Sequence, residues 1–134
     1  MHSIDIATLL RDALILSGCT AEQIGRFDGH STIELEFTGL PKVNLAMLES
    51  GVWLWSPTVP LTPTLRQQRG SALFEFLLQG FAAARTEQLQ LNEVDGVLEL
   101  RVLLGDAAVA DAAVFTAAIE AYVERLESLQ EALR

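Results

Sequence analysis

The sequence has one cysteine, one lysine and two histidines, and it has no apolar run of membrane-spanning length. Each shortage removes a class of function. Cys19 alone cannot form an intramolecular disulfide or a cysteine metal cluster, so the fold must be held by packing, as suits a reducing compartment. His2 and His30 do not make a histidine metal site by themselves, and the carboxylates show no EF-hand spacing. Gly25 and Gly29 belong to no phosphate-cradling glycine motif, and no Walker lysine follows them. The chain carries 9 basic against 18 acidic residues, a formal net charge of −9. Those few cations are scattered, which leaves no stripe to neutralise nucleic-acid phosphates or to hold an anionic membrane surface. The opening residues MHSID lack the basic start and apolar run of a signal peptide. No segment reaches the roughly 18 apolar residues of a membrane span. The expectation is a cytoplasmic protein without nucleic-acid partners or membrane insertion.

What the sequence does have is apolar surface. At 134 residues it has the length of one domain, expected to span 1–134, and half of its residues are hydrophobic. Mean hydropathy is +0.30 despite a charged fraction of 20%. A single small domain of this composition must expose part of that surface, and large exposed apolar patches mark interfaces. An oligomer or a sticky partner-binding surface is the expectation.

Periodicity gives the order of elements. Residues 4–17 read as a helix with Ile6, Leu9, Leu10 and Ala13 on one face, Ser3 as its cap and Gly18 as its stop. Residues 32–38 alternate strictly, with Ile33, Leu35 and Phe37 opposite Thr32, Glu34 and Glu36, the pattern of a strand with one wet face. Gly39-Leu40-Pro41 turns into a second strand, 43–48, carrying Val43, Leu45 and Met47. Ser50-Gly51 turns into a third, 52–56. That third strand is apolar on both faces: Val52 and Leu54 on one, Trp53 and Trp55 on the other. A loop punctuated by Pro57, Pro60 and Pro63 leads to a second helix with Thr62 as cap and Pro63 at its first position, reaching about residue 81. Asp95-Gly96 joins strands 87–93 and 97–104 as a hairpin. An alanine-rich helix from about 108 to 134 repeats Phe115, Ile119, Tyr122, Leu126, Leu129 and Leu133 at steps of four and three. The order α-β-β-β-α-β-β-α with hairpin-length connections is an α+β fold with a twisted antiparallel sheet.

The second helix carries two apolar stripes, Leu73, Phe76, Leu77 and Gly80 beside Phe74, Leu78 and Phe81. Its own sheet needs only one, so the other is expected to meet a symmetry mate. The expected homodimer interface comprises Phe74, Leu77, Leu78 and Phe81. Asp28, His30 and Ser31 could be sketched as a catalytic trio. They lack a nucleophile elbow, and Asp28 to Ser31 read more simply as the turn entering the first strand. No catalytic residue, cofactor or metal is expected, and the chain reads as a binding protein. Trp53 and Trp55 read equally as core beneath a helix or as anchors for a partner.

The segments FDGHSTIELEF (27–37), VWLW (52–55) and QLQLNEVDGVLEL (88–100), with the start IDIATLLRDAL and the closing RLESLQEALR, resemble the InvB/SpaK invasion-protein chaperones of bacterial type III secretion, within the wider class I effector chaperones. The likeness is collinear over nearly the whole chain and weakest at 58–64 and 107–113. It implies a cytosolic homodimer that binds the extended N-terminal chaperone-binding region of one or more secreted effectors. Such binding would prevent aggregation and keep the cargo competent for export, with the secretion ATPase as a further partner. The expected effector contacts are Leu10, Ile33, Leu35, Leu45, Trp53 and Trp55. The competing reading is a dimeric α+β module that binds a small molecule or a folded regulator in a closed pocket. On the non-enzyme reading, Asp28→Ala, His30→Ala and Ser31→Ala each change stability by about 1 kcal/mol or less. A hydrolase screen of wild type and Ser31→Ala should find no activity that the variant loses.

Overall fold

The computed structural model describes residues 5–18 and 32–134. The Ser3 cap and the Asp28, His30 and Ser31 turn lie outside them. Helix α1 spans Ile6–Leu16 and is capped by Asp5, whose carboxylate accepts from the Thr8 amide at 3.2 Å and the Thr8 hydroxyl at 2.8 Å. These bonds, the hydroxyl first, hold the exposed Asp5 carboxyl below its ordinary pKa. Ile6, Leu10 and Ala13 are buried, and Ile15 falls on the solvent side, as the helical spacing requires.

Strands β1 (Ile33–Leu35), β2 (Val43–Leu48), β3 (Gly51–Pro60), β4 (Gln90–Val94) and β5 (Val97–Leu103) form one antiparallel sheet in the order β1-β2-β3-β5-β4. β1 is shorter than the alternation of 32–38 implies. β3 is longer: it runs through Pro57 to Pro60, where the sequence suggests a loop. The pairing explains how a strand tolerates these prolines. β2 pairs with β3 only as far as Trp55, so beyond it β3 pairs on one side alone, and its ladder to β5 shifts register between Pro57 and Pro60. A proline missing its donor is accommodated at such an edge. There the Thr58 hydroxyl donates to the Leu98 carbonyl at 2.7 Å.

Helix α2 (Pro63–Leu78) starts as expected, the Thr62 hydroxyl accepting from the Leu65 amide at 3.0 Å. It stops before residue 81 because Gly80 takes φ +68°, a left-handed position where an added Cβ would lie 3.2 Å from the Glu87 carbonyl. The β4–β5 hairpin turns on Asp95 (φ 52°) and Gly96 (φ 80°), the two positive values that a type I′ turn needs. A short 3₁₀ turn, Asp106–Val109, precedes helix α3 (Ala112–Leu133), which therefore begins later than the alanine-rich composition suggests. Its cap is Asp111, which accepts from the Val114 amide at 2.9 Å.

α1 and α3 cover one face of the sheet. Val43, Leu45, Val52, Leu54, Leu100 and Val102 meet Leu10, Phe115, Ile119, Leu126 and Leu129 in one core. In its middle the Tyr122 hydroxyl lies 2.9 Å from the Ser56 hydroxyl and 3.3 Å from the Leu100 carbonyl, tying α3 to β3 and β5. Burial raises the Tyr122 pKa well above the ordinary phenol value, so the ring stays neutral. Tyr122→Phe removes this tie and leaves the buried Ser56 hydroxyl without its partner. The expected cost is about 1–3 kcal/mol, read from chemical denaturation, with a smaller further loss when Ser56→Ala is added.

Candidate functional site

The face of the sheet opposite the helices is built around the tryptophans. Asn44, Trp55 and Arg101 lie side by side on β2, β3 and β5, as do Ala46, Trp53 and Leu103. Trp53 and Trp55 are both half-buried. The Trp53 indole N–H donates to the Ser50 hydroxyl at 2.8 Å, and the Arg101 guanidinium lies 5.9 Å from the Trp53 ring centroid. Arg101 also grips Glu99, donating from Nη2 at 2.6 Å and Nε at 3.1 Å. Glu99 retains only 5% of its accessible surface, the deepest charged side chain among the described residues. This pair carries the buried carboxylate and holds the guanidinium in place beside the aromatic surface.

On the other side of the β1 end of the sheet, a groove of about 450 Å³ runs between α1 and α3. Ala13 and Leu14 of α1, Phe37 just past β1, and Ile119 and Val123 of α3 form its apolar walls, and Glu120 and Glu124 stand among its lining residues. A larger groove, about 760 Å³, lies on another flank of α3, against the segment that links α2 to β4. Among the described residues no three side chains come together as a metal site, and no helix is long and apolar enough to cross a membrane.

The residues expected to contact an effector fall in different places. Leu10 and Leu45 are fully buried and Ile33 is 7% exposed, all inside the core of this chain. The inward face of a strand and the inward face of its covering helix share the same periodicity as a partner-binding stripe, so sequence alone did not separate them. Leu35, Trp53 and Trp55 keep accessible surface. The expected dimer residues also divide. Phe74 and Leu78 are 61% and 63% exposed, Leu77 is half-buried, and Phe81 is core at 4% because the turn at Gly80 redirects it inward. Sequence reasoning overlooked Phe37, Leu14, Ile119 and Val123 as one groove. Their alternation and spacing were visible, but which helix flanks meet is a tertiary fact.

The fold is that of a type III secretion chaperone. Over 98% of this chain and 94% of the other, it superposes with a TM-score of 0.56, at 18% identity, on a chain from the heterodimeric ExoU–SpcU complex of the Pseudomonas aeruginosa type III secretion system. The Invasion protein B family model matches residues 18–95. The surface presentation of antigens proteins SpaK of Salmonella typhimurium and Salmonella typhi are each 33% identical over 133 residues, covering 99% of this chain and 98% of theirs. The chain belongs to the Invasion protein B family, whose members are binding proteins and not enzymes.

The half-buried setting of both tryptophans sets an expectation for their replacement. Trp53→Ala and Trp55→Ala should each cost less than the ~3–5 kcal/mol of a fully buried tryptophan, because part of each ring already meets water. Thermal or denaturant unfolding of the two variants checks this. A loss in the full core range would show that the rings are wholly integral to the fold.

Proposed function

We propose that the chain is a homodimeric holder of the unfolded N-terminal segments of type III secreted effectors, keeping them from aggregating and competent for export from the bacterial cytoplasm. The observation that carries this reading is the α1–α3 groove with Phe37 in its wall, because Phe37 lies just past β1, an edge strand of the sheet. An extended segment can add backbone hydrogen bonds along a strand edge and drop apolar side chains into an adjoining groove. Such a segment passing over the β1 edge reaches Leu35, then the groove on one face and the Trp53–Trp55 surface on the other. Membership of the Invasion protein B family and the likeness to a chain of a type III secretion heterodimer support the reading.

The energetics suit an unfolded cargo. Ordering a disordered segment costs conformational entropy, so affinity must come from a long wrapped path. Backbone pairing is indifferent to side-chain identity, which lets one surface serve several effectors. The acidic rim, Glu120 and Glu124, adds attraction for basic residues flanking the apolar anchors.

The test is binding of purified N-terminal effector segments, followed by calorimetry. Leu14 and Val123 are half-buried at the margin of the core, so Leu14→Glu with Val123→Glu places charge inside the groove, and the circular dichroism spectrum checks that the fold survives. The expected result is at least ~2 kcal/mol weaker binding, the scale of an interface hot spot, with thermal stability and oligomeric mass near wild type. Unchanged affinity would remove the groove from the cargo path. Failure of the wild-type protein to bind any effector segment would overturn the chaperone reading itself.

A further inference from the structure

The tryptophan face of the sheet is uneven in charge. One row of its side chains runs Glu34, Asn44, Trp55, Arg101 and Gln90 across β1, β2, β3, β5 and β4, each opposite the next in the ladders. Directly opposed residues of antiparallel strands share a face. The two indole rings differ in company. Trp53 has the Arg101 guanidinium 5.9 Å from its centroid, whereas Trp55 has no cation over its ring among the described residues. Arg101 stands next to Trp55 in the row, but its charge is matched by Glu99 at 2.6 and 3.1 Å.

On the other side of Trp55 the charge is incompletely matched. Glu34 and Glu36 share Lys42, the only lysine of the chain, at 3.3 and 3.8 Å. Two carboxylates against one ammonium leave a local excess of negative charge. All three side chains are more than half exposed, and such pairs exchange partners at little cost. Between Glu34 and Trp55, Asn44 donates its side-chain N–H to the Trp55 carbonyl at 3.3 Å. Its Oδ1 accepts no hydrogen bond among the described residues. The row thus sets a half-buried ring, an open amide acceptor and an under-neutralised carboxylate side by side.

We propose that Trp55, Asn44 and Glu34 form the seat of an arginine side chain of the bound effector segment. The inference rests on the cargo reading above and names the chemistry of one residue that the cargo brings. A guanidinium is planar, stacks on aromatic faces and carries five N–H donors, so it meets ring, amide and carboxylate together. A lysine ammonium has no plane to stack. The chain holds its own precedent in Arg101, which lies over Trp53 with Glu99 as its carboxylate. A net charge of −9 favours the approach of a cationic segment. Position agrees with charge. Glu34 belongs to the edge strand β1, and strand spacing of about 4.8 Å puts Trp55 roughly 10 Å in from that edge. A segment crossing β1 with an apolar residue in the α1–α3 groove therefore carries a neighbouring long side chain onto the opposite face.

The first arm of the experiment needs no effector. The indole N–H signals of the labelled full chain are assigned with Trp53→Phe and Trp55→Phe. The protein is then titrated with N-acetyl-arginine amide and with N-acetyl-citrulline amide, the neutral isostere. Arginine should move the Trp55 signal saturably and citrulline should leave it in place. Glu34→Gln, an exposed change that spares the core, should weaken the arginine effect by about threefold. Equal responses to the two probes, or an arginine response confined to Trp53, would overturn the seat while leaving the cargo reading. The second arm uses an effector N-terminal segment that binds in calorimetry, with its arginines replaced in turn by glutamine. One replacement should weaken binding to the wild type and have no further effect on Trp55→Leu or Glu34→Gln. If every replacement acts equally on all three proteins, the seat does not hold cargo. An arginine response at Trp55 in a chain that binds no effector segment would overturn the cargo as its occupant.

Discussion

A sheet has two faces, and in this chain α1 and α3 cover only one of them. That constraint organises the molecule. The covered face is conventional: Val43, Leu45, Leu54, Leu100 and Val102 pack under Phe115, Tyr122 and Leu126, and the one polar cluster at its centre, Tyr122 with Ser56, is internally satisfied. No buried side-chain polar atom among the described residues lacks a partner. Among the described residues no helix covers the second face, yet it carries two tryptophans. The chain keeps it serviceable in water by interleaving them with Asn44, Arg101 and Glu99 and by giving the Trp53 N–H a hydroxyl partner. The result is a surface of large rigid aromatics fixed beside a guanidinium, the residue types that anchor interfaces.

Much of this was legible in the sequence. The element order, the antiparallel sheet, the Asp95-Gly96 hairpin and the inward set on β5 follow from periodicity and turn chemistry. The misses have local physical causes. Pro57 and Pro60 read as loop because sequence cannot show that the β2–β3 ladder stops at the Asn44–Trp55 pair, near the start of β2, and frees one side of β3. Phe81 read as a continuation of the helical stripe because a stripe ignores the left-handed glycine just before it. Leu10, Ile33 and Leu45 read as partner contacts because a core face and a binding face share one pattern, and only the position of α1 and α3 distinguishes them.

Charge and apolar surface play separate parts. An excess of carboxylates makes copies of a chain with half its residues hydrophobic repel one another, which opposes non-specific association. The described ion pairs are mostly exposed, such as Lys42 with Glu34 and Arg66 with Glu93, and pairs of that kind contribute roughly 0–1 kcal/mol each. Stability therefore comes from the covered face, and the acids are free to shape how partners approach.

α3 is where these demands converge. One flank of the helix, Ile119 and Val123, lines the groove shared with α1. Another, Ala117, Ala118 and Ala121, lines the groove beyond α2, and Glu124 borders both. A third, through Phe115, Tyr122, Leu126 and Leu129, is buried against the sheet. A helix used on three sides cannot shift to suit one partner without disturbing the others, and the Tyr122 tie to β3 and β5 resists such a shift. The two grooves are thus held at a fixed spacing on a rigid common wall. A small domain can in this way present two separate grooves on one helix, because the core sets their geometry before any partner arrives.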